Sequence, residues 1–569
     1  MKTNLFTEPE AVEGGVSRRK FLRKSGAALA AGMAAASCGA SPAAGGTPDA
    51  VEKGVPASPA AVGRVLRRPN LVFLITDQER YPQHWPEGWA EANLPNRKRL
   101  ADSGLTFTRC FCNAAMCSPS RATLFTGLYV SQHGVREVLQ YDYPSRNSQP
   151  EHTSQSTLQT GTQNIAQMLA DAGYNVQYRG KWHISKDPTG TLAVQSPRDL
   201  EQYGFQGWIP PEAGTDESAT VFGGGDTNYD AQYAAQAADF LKKANPYSQK
   251  PFALFVCLAN PHDLMGYPNT WNQPSYSDID AFKGADNYGK DYPECFDQGI
   301  DLPLTAQESP LGNFKPPAQA RSTLMWASGI GTLLSHEEQL NYVNFYAYLH
   351  RVSDRHIGTV LDALESNRGL RNKTIVFGLS DHGEMGLAHG GMREKAYNAY
   401  EETIHVPLVV SNPALFPRAV RTQALASLID LMPTVAALAG VRNQGKWTFM
   451  GADLTPVIQD AATHPSNPTR SVQEDIYFTS DETLGASIVG QPSHIRCLRE
   501  AGWKVVEYYD PAGVATPLYE LYDLARDPLE TNNLGNPDNA PYYRPDKLAE
   551  MIDKLSRRRD EIEAHAVTL

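Results

Sequence analysis

The chain has 569 residues, 41% of them hydrophobic, with 26 Tyr and 8 Trp; that apolar and aromatic mass supports a sizeable core and excludes wholesale disorder. Acids outnumber Lys and Arg by 63 to 51, a formal net charge of −12, which argues against a general nucleic-acid binder. No apolar stretch reaches the ~20 residues a bilayer requires, 7 cysteines spell no legible pairing framework, and the length suits two unequal domains.

At the N-terminus, residues 17–24 carry five cations and no acid, and an Ala-rich run over 27–36 follows. Arg18-Arg19 ahead of a weakly apolar segment is the pattern of a twin-arginine export signal, so residues 1–38 are expected to be a signal peptide. The protein is then expected in the periplasm, outside the cell or on the surface of a bacterium; a basic helix of the mature protein is the alternative. Cys38 closes an Ala-Ala-Ser-Cys run that is similar to a lipoprotein cleavage site but lacks the usual large aliphatic residue upstream. It is either a lipid anchor, the one membrane attachment the sequence suggests, or a bystander near a signal-peptidase site. Residues 39–68, rich in Ala, Pro and Gly, read as a flexible linker.

Four short apolar runs follow, at 71–75, 252–259, 374–379 and 406–410. Continuous runs of this length suit strands buried on both faces of a mostly parallel sheet. Helical patterns lie between them, at 163–172, 229–243 and about 337–367, which indicates a doubly wound α/β fold flanked by helices. The first run is followed by Thr76-Asp77-Gln78, the second by Asn260-Pro261-His262-Asp263, the third by Ser380-Asp381-His382-Gly383-Glu384. Ligands of open α/β sheets bind outside the carboxyl ends of the strands. One strand-end Asp is usually a cap or turn residue; three ends carrying acid, amide and imidazole groups are candidates for a metal and an anionic substrate.

The most informative segment runs from Ala115 to Gly127 and contains Cys117-Ser118-Pro119-Ser120-Arg121. From 7 Cys, 40 Pro and 51 Lys and Arg, Cys-x-Pro-x-Lys/Arg is expected about 0.04 times by chance. Cys117 precedes a helix expected to begin near 118–120, Pro119 is tolerated in its first turn, and Arg121 adds a cation beside position 117. Read by itself, this is a low-pKa nucleophilic thiolate; an ordinary buried cysteine is the alternative.

These residues, with the downstream Thr126-Gly127, are similar to the signature of the type I sulfatases of the alkaline-phosphatase-like superfamily. The resemblance continues through Gly173 to His183, where Lys181 and His183 match and Val176 and Arg179 depart from the usual small or hydroxylic residues. It reaches on through Asp430-Leu431-Met432-Pro433-Thr434, Arg496, Trp503-Lys504, the stretch 520–524 and Asp527 to Glu530. It implies a catalytic domain over 69–465 and a smaller C-terminal α+β subdomain over 466–569. It also implies that Cys117 is oxidised to formylglycine by a formylglycine-generating enzyme. The hydrate has two hydroxyls: one attacks sulfur, and proton loss from the other expels sulfate and restores the aldehyde.

By the same resemblance, Asp77, Gln78, Asp381 and His382, with an oxygen of modified Cys117, would hold one divalent cation. Calcium is the family's usual metal. Gln78 stands where many sulfatases have a second Asp, and the Asp-Gln with Asp-His combination also resembles the family's phosphonate monoester hydrolases, so Mn2+ is the alternative. Arg121 would stabilise the nucleophile's surroundings, Lys181 would bind the anion, and His183 would take a proton from the remaining hydroxyl. His262 and Lys395 would contact sulfate and help protonate the leaving oxygen. Lys395 lies six residues before Glu401, about one more than the commoner spacing, and a solvated surface lysine is the competing reading. His389 and His405 read as structural, Cys110 and Cys112 as packing residues. Segments 185–228 and 263–335, with Gly223-Gly224-Gly225 as a turn, read as pocket rim. The expected function is an exported sulfatase acting on a small-molecule or glycan sulfate ester. A phosphonate monoester or phosphodiester hydrolase with the same site, or a non-catalytic exported binding protein, are the alternatives.

Overall fold

The computed structural model describes residue 63 and residues 66–141, 155–190, 192–213, 229–268, 293–441 and 444–565, all within a compact unit spanning Gly54–Leu569. The expected signal peptide, nearly all of the linker, Gly223-Gly224-Gly225 and parts of both rim segments lie outside the described residues. Among the described residues, no helix is long and apolar enough to cross a membrane.

In chain order the strands are β1 (Asn70–Asp77), β2 (Gly104–Phe107), β3 (Cys110–Phe111), β4 (Asn175–Gly180), β5 (Phe252–Pro261), β6 (Thr374–Ser380), β7 (Leu408–Ser411), β8 (Val420–Thr422), β9 (Ala426–Ser427), β10 (Asp475–Ser480), β11 (His494–Glu500), β12 (Trp503–Tyr509) and β13 (Leu518–Asp523). The central sheet runs β4-β5-β1-β6-β7-β2-β8. Four neighbours, β4, β5, β1 and β6, are mutually parallel, whereas β7 is antiparallel to both β6 and β2. All four expected runs are strands; the fourth enters the sheet in the reverse sense, and β2, β4 and β8 complete it.

Both faces of β1 are covered, as its unbroken apolar run requires. Leu71, Phe73 and Ile75 point into the main core, while Val72 and Leu74 meet Ala234, Leu241, Ile357 and Leu361 from the helices Tyr229–Lys243 and His336–Ser366. Phe73 stacks on Phe255 at 4.4 Å and on Phe377 at 4.9 Å, the residues directly opposite it on β5 and β6. These three strands are thereby locked in register. Asp77 is level with Pro261 and Thr76 with Ser380, so Asp77, His262 and Asp381 leave the sheet at one edge.

A second, antiparallel sheet, β10-β11-β12-β13, carries the helix Pro545–Ala564 on one face. Leu548, Met551, Leu555 and Ile562 of that helix cluster with Leu498, Val505 and Leu521, an apolar stripe at helical spacing. The six described cysteines are buried and free.

Candidate active site

Position 117 is prepared by its backbone. The helix Cys117–Thr126 starts one residue earlier than expected: Met116 is its N-cap, at φ 67°, and Cys117 is its first residue. Ser120 N donates to Met116 O (3.1 Å), and Ser120 Oγ donates to Asp381 O (2.5 Å), pinning the first turn to the end of β6. The thiol therefore sits at the positive end of the helix, 1% exposed.

Four parallel strands deliver its neighbours. At the end of β4, Gly180 has φ 100°, and a Cβ there would lie 1.9 Å from Cys257 O; only glycine lets the chain turn so close to β5. Lys181 follows, its N donating to Cys257 O (3.0 Å). Its Nζ lies 2.6 Å from Asp77 Oδ2 and donates to Cys117 Sγ (3.6 Å). His382, after β6, places Nε2 3.2 Å from Cys117 Sγ, 3.5 Å from Asp77 Oδ1 and 3.6 Å from Asp381 Oδ1. The ligating atoms of Asp77, Cys117 and His382 lie within 4.8 Å of one another, a group able to hold a metal ion. Arg121 is buried as well. It donates through Nη1 to Asp381 Oδ2 (3.1 Å), through Nε to Trp182 O (2.9 Å) and through Nη2 to Lys181 O (2.5 Å), tying the ends of β4 and β6 to the helix Cys117–Thr126.

Gln78, at φ 70°, uses both amide N–H groups and one lone pair of its oxygen: Oε1 accepts from Lys395 Nζ (2.6 Å), and Nε2 donates to Glu384 Oε2 (2.5 Å) and Glu394 Oε1 (3.0 Å). A carbonyl-type oxygen has two lone pairs, so one remains for a cation. Lys395 also pairs with Glu394 (2.8 Å) and is 1% exposed; it is no solvated surface lysine. His262, 5% exposed, follows Pro261 at the end of β5, and its charge helps to stabilise the Asp77 carboxylate. His183 has φ 59° and donates from Nε2 to Leu139 O (2.9 Å).

The charges act on one another strongly. Burial pushes the Cys117 thiol up, but Lys181, Lys395 and His382 outweigh it and hold it well below its ordinary value. Burial also raises Asp77, and Lys181, His262 and His382 bring it down to about 2. Asp381, raised by burial and by the Asp77 charge, lies at about 6. Burial would lower His382, yet Asp381 and Cys117 hold it at about 9.

Every residue expected at the site converges at this edge. His389 and His405 lie in other networks, His389 Nδ1 pairing with Glu308 (2.7 Å) and His405 Nε2 donating to Thr108 O (3.0 Å). Sequence reasoning missed Glu394, which a carboxylate next to Lys395 signals, and Glu212, for which no motif speaks. Both contact the machinery.

A mostly parallel sheet that gathers acids, imidazoles and ammonium groups around a buried cysteine at a helix N-terminus is the arrangement of a hydrolase of the alkaline-phosphatase-like superfamily. Within it the chain belongs to the sulfatase family, sulfuric ester hydrolases, whose family model matches residues 69–441; a second model, N-sulphoglucosamine sulphohydrolase, C-terminal, matches residues 390–560. The chain is 23% identical over 527 residues to an N-acetylglucosamine-6-O-sulfatase of Bacteroides thetaiotaomicron, covering 86% of this chain and 87% of that one. Similar solved folds include a protein captured with its substrate D-glucosamine-2-N,6-O-disulfate (TM-score 0.58, 21% identity, 88% and 99% covered). Another is the phosphonate monoester hydrolase of Agrobacterium radiobacter (TM-score 0.60, 21% identity, 87% and 96% covered).

Proposed function

We propose that the protein is an exported sulfatase that cleaves the sulfate ester of a sugar or small molecule, with residue 117 carried as formylglycine. The observation that carries this reading is the surround of position 117: at a helix N-terminus, between Lys181 and His382, with Asp77 at 3.5 Å. It is a socket for an anion-attacking nucleophile and its divalent cation.

Asp77, Gln78, Asp381 and His382 would hold the metal. The donor set fits one: two buried carboxylates that repel each other want a cation between them. Calcium suits the oxygen donors, and the imidazole of His382 keeps Mn2+ as the alternative. Bound there, the cation supplies positive charge for sulfate oxygens, and the formylglycine hydrate supplies the attacking oxygen and a second, ionisable hydroxyl. Lys181 and Lys395 bind the remaining sulfate oxygens. His183, whose Nε2 proton is committed to Leu139 O, offers Nδ1 as the proton acceptor, and His262 donates to the leaving oxygen. Arg121 keeps Asp381 and the Lys181 backbone in place. The N-acetylglucosamine-6-O-sulfatase relative and the similar fold captured with a glucosamine disulfate support a sulfated sugar as the substrate class.

The maturing partner is a formylglycine-generating enzyme, and twin-arginine translocation would carry the folded protein to the periplasm or cell surface, Cys38 being its lipid attachment if it has one. A phosphonate monoester or phosphodiester hydrolase is the second reading, favoured by Gln78 and His382 in the metal set. Protein produced with a maturing enzyme is expected to cleave sulfate esters faster than phosphonate monoesters or phosphate diesters; a large excess in the other direction replaces the first reading with the second. Arg18→Lys with Arg19→Lys is expected to strand the precursor in the cytoplasm, and an unchanged exported yield removes the export route.

A further inference from the structure

Glu212 belongs to no motif, yet it is 5% exposed and directed at the machinery. Its Oε1 accepts from Trp182 N (2.8 Å) and also from His183 N, two successive backbone donors closing on one carboxyl oxygen as in a nest. His183 is in the left-handed region at φ 59°, an uncommon conformation for a non-glycine residue, and the Glu212 clamp holds it there. The clamp is on the backbone; the ring is held at its other end. Nε2 donates to Leu139 O (2.9 Å), so the neutral ring carries its proton on Nε2 and keeps its lone pair on Nδ1.

That carbonyl is itself tethered. Leu139 N donates to Ser118 Oγ (3.0 Å), the residue after Cys117. Gln155 brackets Leu139, accepting from Gln140 N (2.8 Å) and donating to Val138 O (2.9 Å). With the acceptor fixed, the position of the ring depends on where the His183 backbone stands, and the Glu212 carboxylate sets that.

We propose that Glu212 is a positioning residue: by clamping the Trp182 and His183 amides it holds His183 in the left-handed conformation that fixes the Nε2-protonated ring and turns Nδ1 toward residue 117. The proposal rests on the reading that His183 is the proton acceptor of the reaction. Glu212 touches neither sulfate nor the leaving group in that reading, so its loss should slow turnover and spare substrate binding.

The test compares Glu212→Ala and Glu212→Gln with wild type, all metal-loaded and carrying the aldehyde at position 117. Glu212→Ala is expected to lose about 100-fold in kcat, the scale of a misplacement near 1 Å, with KM within about twofold. Glu212→Gln, which keeps the Oε1 acceptor, is expected to recover to within about fivefold of wild type. Spectra of 15N-histidine-labelled protein, with His183→Ala locating the resonance, are expected to show one Nε2-protonated tautomer in wild type and Glu212→Gln and a mixture in Glu212→Ala. Unchanged kcat in Glu212→Ala, Gln no better than Ala, or a loss that merely tracks the unfolded fraction each overturns the proposal. A wild type inert on every sulfate ester refutes the functional reading instead, and the tautomer spectra then still decide the role of Glu212.

Discussion

Burial by itself would keep Cys117 protonated, and three cations outweigh it, so even the unmodified residue is electrostatically primed. A sulfur nucleophile has no ready route to release sulfate, whereas a geminal hydroxyl has, which is why modification rather than direct use of the thiol is proposed. Cys117→Ala is expected to fold normally and lose turnover by roughly several orders of magnitude, while the tryptic peptide of mature wild type shows an aldehyde by mass and by hydrazide capture. Fully active protein bearing only unmodified Cys117 overturns that mechanism. At the metal set, Asp381→Asn removes a charge as well as a donor, whereas Gln78→Asn shortens a neutral donor whose oxygen is shared with Lys395. Asp381→Asn is expected to weaken metal binding more in calorimetric titration; equal affinity in Asp381→Asn and wild type removes Asp381 from the ligand set.

At the scale of the element, a site built on four strand ends is only as accurate as those ends. Gly180→Ala puts a Cβ 1.9 Å from Cys257 O at φ 100°, so β4 must move away from β5 and carry Lys181 with it. A loss of about 2–3 kcal/mol in urea unfolding is expected, together with loss of activity; wild-type stability would mean that the turn tolerates a side chain. The short helix Leu431–Ala439 is anchored by Asp430, whose carboxylate accepts from Ala452 N (2.8 Å), Ser427 N (2.6 Å) and Gln473 Nε2 (2.7 Å). Burial outweighs these bonds and raises its pKa from 3.8 to about 6. Because the folded value is the higher one, the folded state binds the proton more tightly. Stability from this group is greatest below about pH 4 and falls as pH rises toward 6, by on the order of 2–3 kcal/mol. Asp430→Asn should be less stable overall and show a flatter profile between pH 4.5 and 7 in urea titrations. Parallel profiles would remove Asp430 from the linkage.

Across the whole molecule, the antiparallel sheet is joined to the catalytic sheet by buried ion pairs. Lys504 on β12 reaches Glu401 (3.1 Å), just before β7, and Glu530 (2.5 Å), and it donates to Ala399 O (2.8 Å). Arg499 on β11 shares Glu401 at 3.1 Å. Lys504→Met would leave Glu530 buried without a counter-charge, with the Glu401 N–H (2.8 Å) still donating to its Oε2, and should cost about 3 kcal/mol. Adding Glu530→Gln should return part of that loss, since it removes the stranded charge. If the double variant is no more stable than Lys504→Met in urea unfolding, the cost lies in packing instead. Lys395 and Glu401 sit on the same connection between β6 and β7, so this junction also braces the approach to the site.

The sequence by itself determined the strand ends and most of the residues on them. Runs such as 71–75 and 252–259 are apolar throughout because both faces of those strands are buried, and a polar residue directly after such a run can only stand at the sheet's edge. The family signature then named Cys117, Lys181 and His183. Short pairings were not legible. β2 has four residues and β8 three, too few for a period to declare itself, and the antiparallel sense of β7 is a property of its neighbours. Tertiary structure alone decided that Lys395 is an interior cation and that Gln78 bonds Glu394, 316 residues away. It also brought Glu212 beneath the His183 peptide. These contacts follow from the packing of distant segments, and a local pattern carries no trace of a partner that chain folding, not spacing, supplies.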